Sequence, residues 1–153
     1  MKTVTFVSRD WMTVIKEPTN VISIGEPGES IPEFPCTHTR MLRLEFDDIE
    51  QDLGPGYNIF DFTHASKIFK FVETCGDEDI LVHCHAGASR SAAVAIFLQI
   101  FRGYFLDLSS PCGGNTNRFN REVYRVLRLA HIQALPVQKG KIYVKHTKMP
   151  GTP

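Results

Sequence analysis

One stretch of the chain, residues 80–91 with the sequence ILVHCHAGASRS, constrains the fold more than any other. Its first three residues are apolar and rich in β propensity, which predicts a short buried strand. His83 and Cys84 follow, then five small or loop-tolerant residues at 85–89, and then Arg90 and an Ala-rich apolar segment that begins at Ser91. The stretch therefore predicts a strand, a tight loop and the start of a helix in direct succession.

The predicted loop combines several features of an anion-binding site. A helix N-terminus presents unpaired N–H groups and the positive end of the backbone dipole. Gly87 can adopt a positive φ, so successive N–H groups can turn inward. Arg90 adds a planar guanidinium that can bind two oxygens of one phosphate. Together with Arg90, the residues expected to bind a phosphate are His85, Ala86, Gly87, Ala88 and Ser89.

The sulfur of Cys84 is expected in the middle of this positive field. Positive charge and converging N–H groups favour the thiolate, which is the nucleophilic form of cysteine. A thiolate held beneath a bound phosphate is placed for in-line attack on phosphorus. Ser91 is near enough to hydrogen-bond the sulfur and help it leave in a second step. His83 is expected to brace the loop rather than to titrate.

These residues resemble a known signature. The pattern H-C-x5-R-S, found here at His83, Cys84, Arg90 and Ser91, resembles that of the cysteine-based protein tyrosine phosphatases. The residues inside the loop are similar to those of the dual-specificity-like branch and of small bacterial and phage tyrosine phosphatases. The resemblance implies a cysteine-dependent phosphatase that needs no metal and no cofactor. Its expected substrate is phosphotyrosine in a protein or peptide, followed by phosphoserine and phosphothreonine.

The resemblance also implies a general acid on a loop upstream of the signature, after an apolar strand. Residues 40–46 alternate as such a strand, and Asp48 continues the apolar side of the alternation. This parity is expected to tip Asp48 over the cleft and partly out of water, where a protonated carboxyl is favoured. Asp47 shares the parity of the polar positions and is the alternative, and Asp52 and Asp61 are further candidates.

Strands and helices alternate along the rest of the chain. Strands are predicted at residues 3–7, 21–24, 40–46 and 80–83, and helices at residues 8–15, 60–74, 91–103 and 117–130. This order predicts a single α/β domain over residues 1–153, with residues 131–153 as an extended tail that holds at most a short strand at 142–144. The predicted core is a mostly parallel sheet of four to five strands flanked by helices. The phosphate loop and the acid are expected at its C-terminal edge.

Composition excludes several classes of function. The 17 basic and 17 acidic residues cancel to a formal net charge of zero, which argues against a nucleic-acid partner. The longest apolar run, residues 92–101, is about half a membrane span, so no membrane partner is expected. No secretory leader is apparent, and the irregular spacing of four cysteines favours a reducing cytoplasm. The sequence leaves open whether Cys84 pairs with another cysteine under oxidation, the others being Cys36, Cys75 and Cys112.

Several alternatives accompany this interpretation. Cys84 could be an inert core cysteine, or could form a metal cluster with His83 and His85. The domain could bind phosphopeptides without turnover, or could act on a non-protein phosphate ester. A sulfur-transfer or arsenate-reducing enzyme also uses a cysteine in an anion loop, although arsenate reduction needs a resolving cysteine. The sequence does not indicate the physiological substrate or the oligomeric state.

Overall fold

The computed structural model, which describes residues 1–109 and 115–135, contains one five-stranded sheet flanked by helices. Its strands are β1 (Thr3–Ser8), β2 (Asn20–Gly25), β3 (Arg40–Glu45), β4 (Ile80–Cys84) and β5 (Phe105–Leu106). Its helices are α1 (Arg9–Met12), α2 (Phe62–Cys75), α3 (Arg90–Arg102) and α4 (Arg121–Ala134), with a 3-10 turn at Thr116–Arg118. The predicted α/β class is confirmed.

The sheet is parallel throughout, in the order β3-β2-β4-β1-β5. β4 lies in the middle, and all five of its residues are buried, as its continuous apolar run predicts. Ser8 at the end of β1 pairs with Cys84, and Ser23 of β2 pairs with His83. Because parallel strands end at the same edge, Cys84 leaves the sheet between the ends of its two neighbours.

Both long helices that flank β4 follow from local sequence signals. The carboxylate of Asp61 accepts hydrogen bonds from the first turn of α2, and Gly76 ends that helix with a φ of 60°. α3 is buried on nearly all sides, which matches its apolar run, and it ends at Gly103 in the left-handed conformation. α3 packs against β1 and β4, whereas α2 packs against β3 and α4.

The last helix begins four residues later than predicted. Its N-cap is Asn120, whose side-chain oxygen accepts the N–H of Val123. Phe119 and Asn120 have extended backbone, so the helix cannot continue back to residue 117. α4 then runs to Ala134, four residues beyond the predicted end. The predicted start at residue 117 is wrong because the Asn120 cap outweighs the helical spacing of the residues before it.

One short strand was not predicted, and some of the predictions concern residues that the structure does not describe. The two-residue strand β5 was not predicted, because two residues carry no periodicity. The predicted strand at residues 142–144, Cys112 and the tail beyond residue 135 lie outside the described residues. Across residues 1–109 and 115–135, none of the helices combines the length and the apolar character that crossing a membrane requires.

Candidate active site

The loop between β4 and α3, residues 85–89, is called the cysteine loop below. Gly87 has a φ of +69°, and a Cβ at this position would lie 2.3 Å from the backbone nitrogen of Ser8. Glycine is therefore required both for the backbone conformation and for the close approach to β1. The N–H of Arg9 donates to the carbonyl of His85 at 3.2 Å, which ties the loop to the chain after β1.

Cys84 is almost fully buried at the base of this loop, with 1% of its surface exposed. The Gly87 N–H donates to the sulfur at 3.3 Å, and Ser91 Oγ lies 3.1 Å from it. Ser91 is in the first turn of α3, where the positive end of the helix dipole lies. The sulfur thus lies among hydrogen-bonding groups beside the N-terminus of α3.

Arg90 is the first residue of α3 and is also buried, with 2% of its surface exposed. Its Nη1 donates to the carbonyl of Phe46 at 2.8 Å, which fixes the guanidinium below the loop that follows β3. Within the described part of the chain, its Nε is buried and has no hydrogen-bond partner. An unsatisfied buried donor is costly, and an oxyanion in the cysteine loop can supply the missing acceptor.

Asp48 lies in the loop after β3 and contacts the cysteine loop directly. Its Oδ1 accepts a hydrogen bond from Ser89 Oγ at 2.7 Å and another from Asn120 Nδ2 at 2.8 Å. Its side chain is exposed, so the expectation that Asp48 would be partly out of water is wrong. Asp48 lies three residues beyond the end of β3. The alternation of the strand therefore no longer sets the direction of its side chain.

The alternative acids have structural partners elsewhere. Asp47 and Asn58 form a reciprocal pair, in which each backbone N–H donates to the other residue: Asp47 N–H to the Asn58 carbonyl at 2.7 Å, and Asn58 N–H to Asp47 Oδ2 at 2.6 Å. Asp52 accepts the N–H of Gly54, and Asp61 caps α2. Of the four candidate acids, Asp48 is the one that the described hydrogen bonds connect to the cysteine loop.

His83 braces the base of the loop from inside the sheet. It is fully buried, and its Nε2 lies 2.7 Å from Ser23 Oγ on the neighbouring strand. Arg43 Nη1 donates to the same hydroxyl at 3.0 Å, which leaves the hydroxyl proton free to bond to Nε2. Burial lowers the pKa of His83 to about 4. The ring is therefore neutral at neutral pH and serves as a support.

His85 lies at the rim, with 70% of its side chain exposed. Its Nδ1 is 3.3 Å from Glu29 Oε1, and Arg9 Nη1 is 3.4 Å from the same oxygen. Burial raises the pKa of Glu29, but hydrogen bonds from the Glu26 backbone and from His85, with the charge of Arg9, lower it below its usual value. Glu29 is therefore an ionised anchor that holds the rim of the loop to the segment after β2.

The two histidines beside Cys84 do not form the metal cluster that the sequence allowed. His83 is hydrogen-bonded within the sheet, whereas His85 is at the exposed rim. Residues 1–109 and 115–135 contain no group of three or more His, Cys, Asp or Glu side chains placed to hold a metal ion. The described contacts of the Cys84 sulfur are with the Gly87 N–H and Ser91 Oγ.

The other described cysteines lie far from Cys84. Cys75 ends α2 just before β4, so the length of β4, about 13 Å at the usual rise per residue, separates it from the sulfur. Cys36 lies beside His38, whose ring accepts the N–H of Thr19 at the start of β2. A disulfide needs Cα atoms about 5.5 Å apart. Both cysteines are at the opposite edge of the sheet and, like Cys84, are free.

Sequence reasoning missed several residues that shape the site: Ser23, Glu29, Arg43 and Asn120. The first three act through contacts between strands or loops that no local pattern encodes. Asn120 did have a local signal, because Asn directly before a helical segment is a preferred N-cap. Placing the helix start at Asn120 would have drawn attention to it.

No family model matches this chain, and no curated protein matches it either.

Proposed function

We propose that this protein is a phosphatase that hydrolyses phosphotyrosine in proteins through a cysteinyl-phosphate intermediate, with phosphoserine and phosphothreonine as secondary substrates. The observation that carries this proposal is the buried Nε of Arg90, which lacks a partner among the described residues and belongs to the first residue of α3, directly after the cysteine loop that follows Cys84. The Nε atoms of Arg43 and Arg102 are also buried without a described partner, but they lie on β3 and at the end of α3, whereas Arg90 directly follows the cysteine loop. A bound phosphate would satisfy that donor and lie against the thiol.

Substrate binding would use the backbone and one side chain. The N–H groups of residues 85–89 and the guanidinium of Arg90 hold the nonbridging phosphate oxygens. The contact between Arg90 and the Phe46 carbonyl keeps the guanidinium in place before the substrate arrives. Such preorganised donors contribute most where charge develops in the transition state.

The first chemical step transfers the phosphoryl group to sulfur. The Cys84 thiolate attacks phosphorus, so an S–P bond forms while the bond from phosphorus to the ester oxygen breaks. Asp48 gives its proton to the departing oxygen, which leaves as an alcohol or phenol. Its hydrogen bond to Ser89 of the cysteine loop supports this role, because that contact holds the carboxyl beside the phosphate site.

The second step regenerates the enzyme. The Asp48 carboxylate takes a proton from water as that water attacks phosphorus, and the S–P bond breaks to release inorganic phosphate and the thiolate. Ser91, with Oγ 3.1 Å from the sulfur, donates a hydrogen bond that stabilises the departing thiolate. No metal or cofactor has a part in either step.

Turnover of a chromogenic aryl phosphate in the presence of EDTA tests this proposal. We expect the wild-type protein to release phosphate and Cys84→Ser to release none, because a serine hydroxyl is not ionised in this setting. Cys84→Ser should still bind inorganic phosphate, since the loop and Arg90 are unchanged. A wild-type protein that binds phosphate without turnover would instead be a phosphopeptide-binding module.

Substrate class and compartment are part of the proposal. A panel of phosphopeptides and small phosphates, assayed side by side, separates a protein phosphatase from one that acts on a non-protein ester. Of the cysteines that the structure describes, Cys36 and Cys75 are at the opposite end of the strands from Cys84 and are not placed to resolve an arsenate-reduction intermediate, while Cys112 lies outside the described residues. The free thiols support a reducing cytoplasm as the working compartment.

A further inference from the structure

Asn120 connects three separate parts of the proposed active site. It is buried, with 1% of its surface exposed, and its Oδ1 accepts the N–H of Val123 to cap α4. Its Nδ2 donates to Asp48 Oδ1 at 2.8 Å and to the carbonyl of Ile49 at 3.1 Å. Its backbone N–H donates to the carbonyl of Ser89 at 3.1 Å. Through its side chain and its backbone N–H, this one residue joins α4, the loop after β3 and the cysteine loop.

The two donors that reach Asp48 converge on a single oxygen. Ser89 Oγ and Asn120 Nδ2 both donate to Oδ1, at 2.7 and 2.8 Å. A carboxyl oxygen offers about two lone-pair sites, so Oδ1 is saturated by these two contacts. When Asp48 is protonated, its proton must therefore reside on Oδ2.

We propose that Asn120 and Ser89 are positioning residues that make Oδ2 the proton-donating oxygen of Asp48. This inference rests on the proposed function, in which Asp48 is the general acid. Asp48 is exposed, and on its own its side chain would have more than one rotamer available. Asn120 is buried and has four further hydrogen bonds, with Ile49, Val123, Ser89 and Tyr124, so it supplies a fixed point to which the exposed acid is tied. A misplacement of about 1 Å can cost about 10²-fold in rate.

Two single variants test the positioning role. Asn120→Ser keeps a short side-chain oxygen that can still cap α4, but it removes the amide donor. Ser89→Ala removes the other donor, and Ser89→Thr restores a hydroxyl. The assay measures kcat and KM for a phosphotyrosine peptide and for an activated aryl phosphate, whose leaving group needs no proton.

The expected signature is selective for the leaving group. In Asn120→Ser and Ser89→Ala, the ratio of kcat for phosphotyrosine to kcat for the activated ester should fall about tenfold or more, with KM little changed. Ser89→Thr should recover most of the loss. Combining Asn120→Ser with Asp48→Asn should add no further loss for phosphotyrosine, because the acid is already absent.

The outcomes separate this inference from the proposed function. If the wild-type protein turns over neither substrate, the proposed function fails first. If Asp48→Asn shows the leaving-group effect but the two donor variants slow both substrates equally, Asn120 and Ser89 have only a structural role and the inference is overturned. Thermal unfolding of each variant is the control, and Ser89→Ala carries the test if Asn120→Ser does not fold.

Discussion

Replacing Gly87 with alanine combines two penalties that the structure makes separable. A φ of +69° costs a residue with a side chain about 1–2 kcal/mol. The new Cβ would also lie 2.3 Å from the Ser8 nitrogen, whereas real Cβ contacts almost never fall below 3.0 Å. The loop must therefore retreat, weakening the contacts of Gly87 N–H with Cys84 and of Arg9 with His85, at about 1 kcal/mol each. The expected total loss of stability is about 3–4 kcal/mol.

Gly103→Ala is the matched control. Gly103 has a φ of +70°, but apart from its immediate chain neighbours no described residue has an atom within 4 Å of the added Cβ, so only the backbone penalty applies. Urea unfolding should show that Gly87→Ala loses about 2 kcal/mol more than Gly103→Ala. Turnover of an aryl phosphate should fall about 10²-fold in Gly87→Ala and change little in the control. Equal stability losses and equal turnover in the two variants would refute the view that the loop must approach β1 closely.

Three further predictions concern the residues around this loop. Arg90→Lys keeps the charge but loses the planar fork, so kcat/KM should fall about 10²-fold or more, and a value within about threefold of wild type would show that the guanidinium is dispensable. Asp48→Asn should slow phosphotyrosine cleavage far more than cleavage of an activated aryl ester, whereas Asp47→Asn should slow both by similar small factors; the reverse pattern would move the acid to Asp47. Burial lowers the pKa of His83 from 6.5 to about 4. Between these two pH values, His83 is protonated in the unfolded chain but neutral in the folded protein. Stability should therefore fall as the pH decreases, by about 2 kcal/mol between about pH 7 and pH 5, and His83→Asn should show a smaller difference between urea unfolding curves at the two pH values.

The central unit of the fold was predictable because its signals are local. The apolar run of β4, Gly87 and the Ala-rich start of α3 follow one another in sequence, and each has one natural structural interpretation. The burial of β4 predicts that it lies between two other strands, but the full order β3-β2-β4-β1-β5 was not predicted. Boundaries were less predictable where a side-chain cap decided them, as Asn120 does for α4.

Only the part of the candidate site that follows from strand direction and side-chain alternation was predictable. Parity chose Asp48 over Asp47, and the hydrogen bond from Ser89 is consistent with that choice. The alternation of side chains predicted the exposure of Asp48 wrongly, because alternation applies only within a strand and Asp48 lies beyond the end of β3. The contact between Asp48 and Asn120 joins residues 72 positions apart, and only the packing of α4 against the rest of the domain brings them together.

The supporting residues of the sheet were hidden for a similar reason. Ser23 lies within the apolar strand β2, and its role depends on the register that places it opposite His83. Arg43 reaches the same hydroxyl from β3. A polar residue in a strand gives no sign of its partner until the order and register of the strands are known.

The most direct test of the account is to trap the covalent intermediate. Rapid acid quenching during turnover, followed by intact-mass and peptide mass spectrometry, should find one phosphoryl group on Cys84. Ser91→Ala should accumulate more of this species than the wild-type protein, because Ser91 Oγ lies 3.1 Å from the sulfur and stabilises it as it leaves. Turnover without any phosphorylated Cys84 in either protein, or with the phosphoryl group on another residue, would contradict the account.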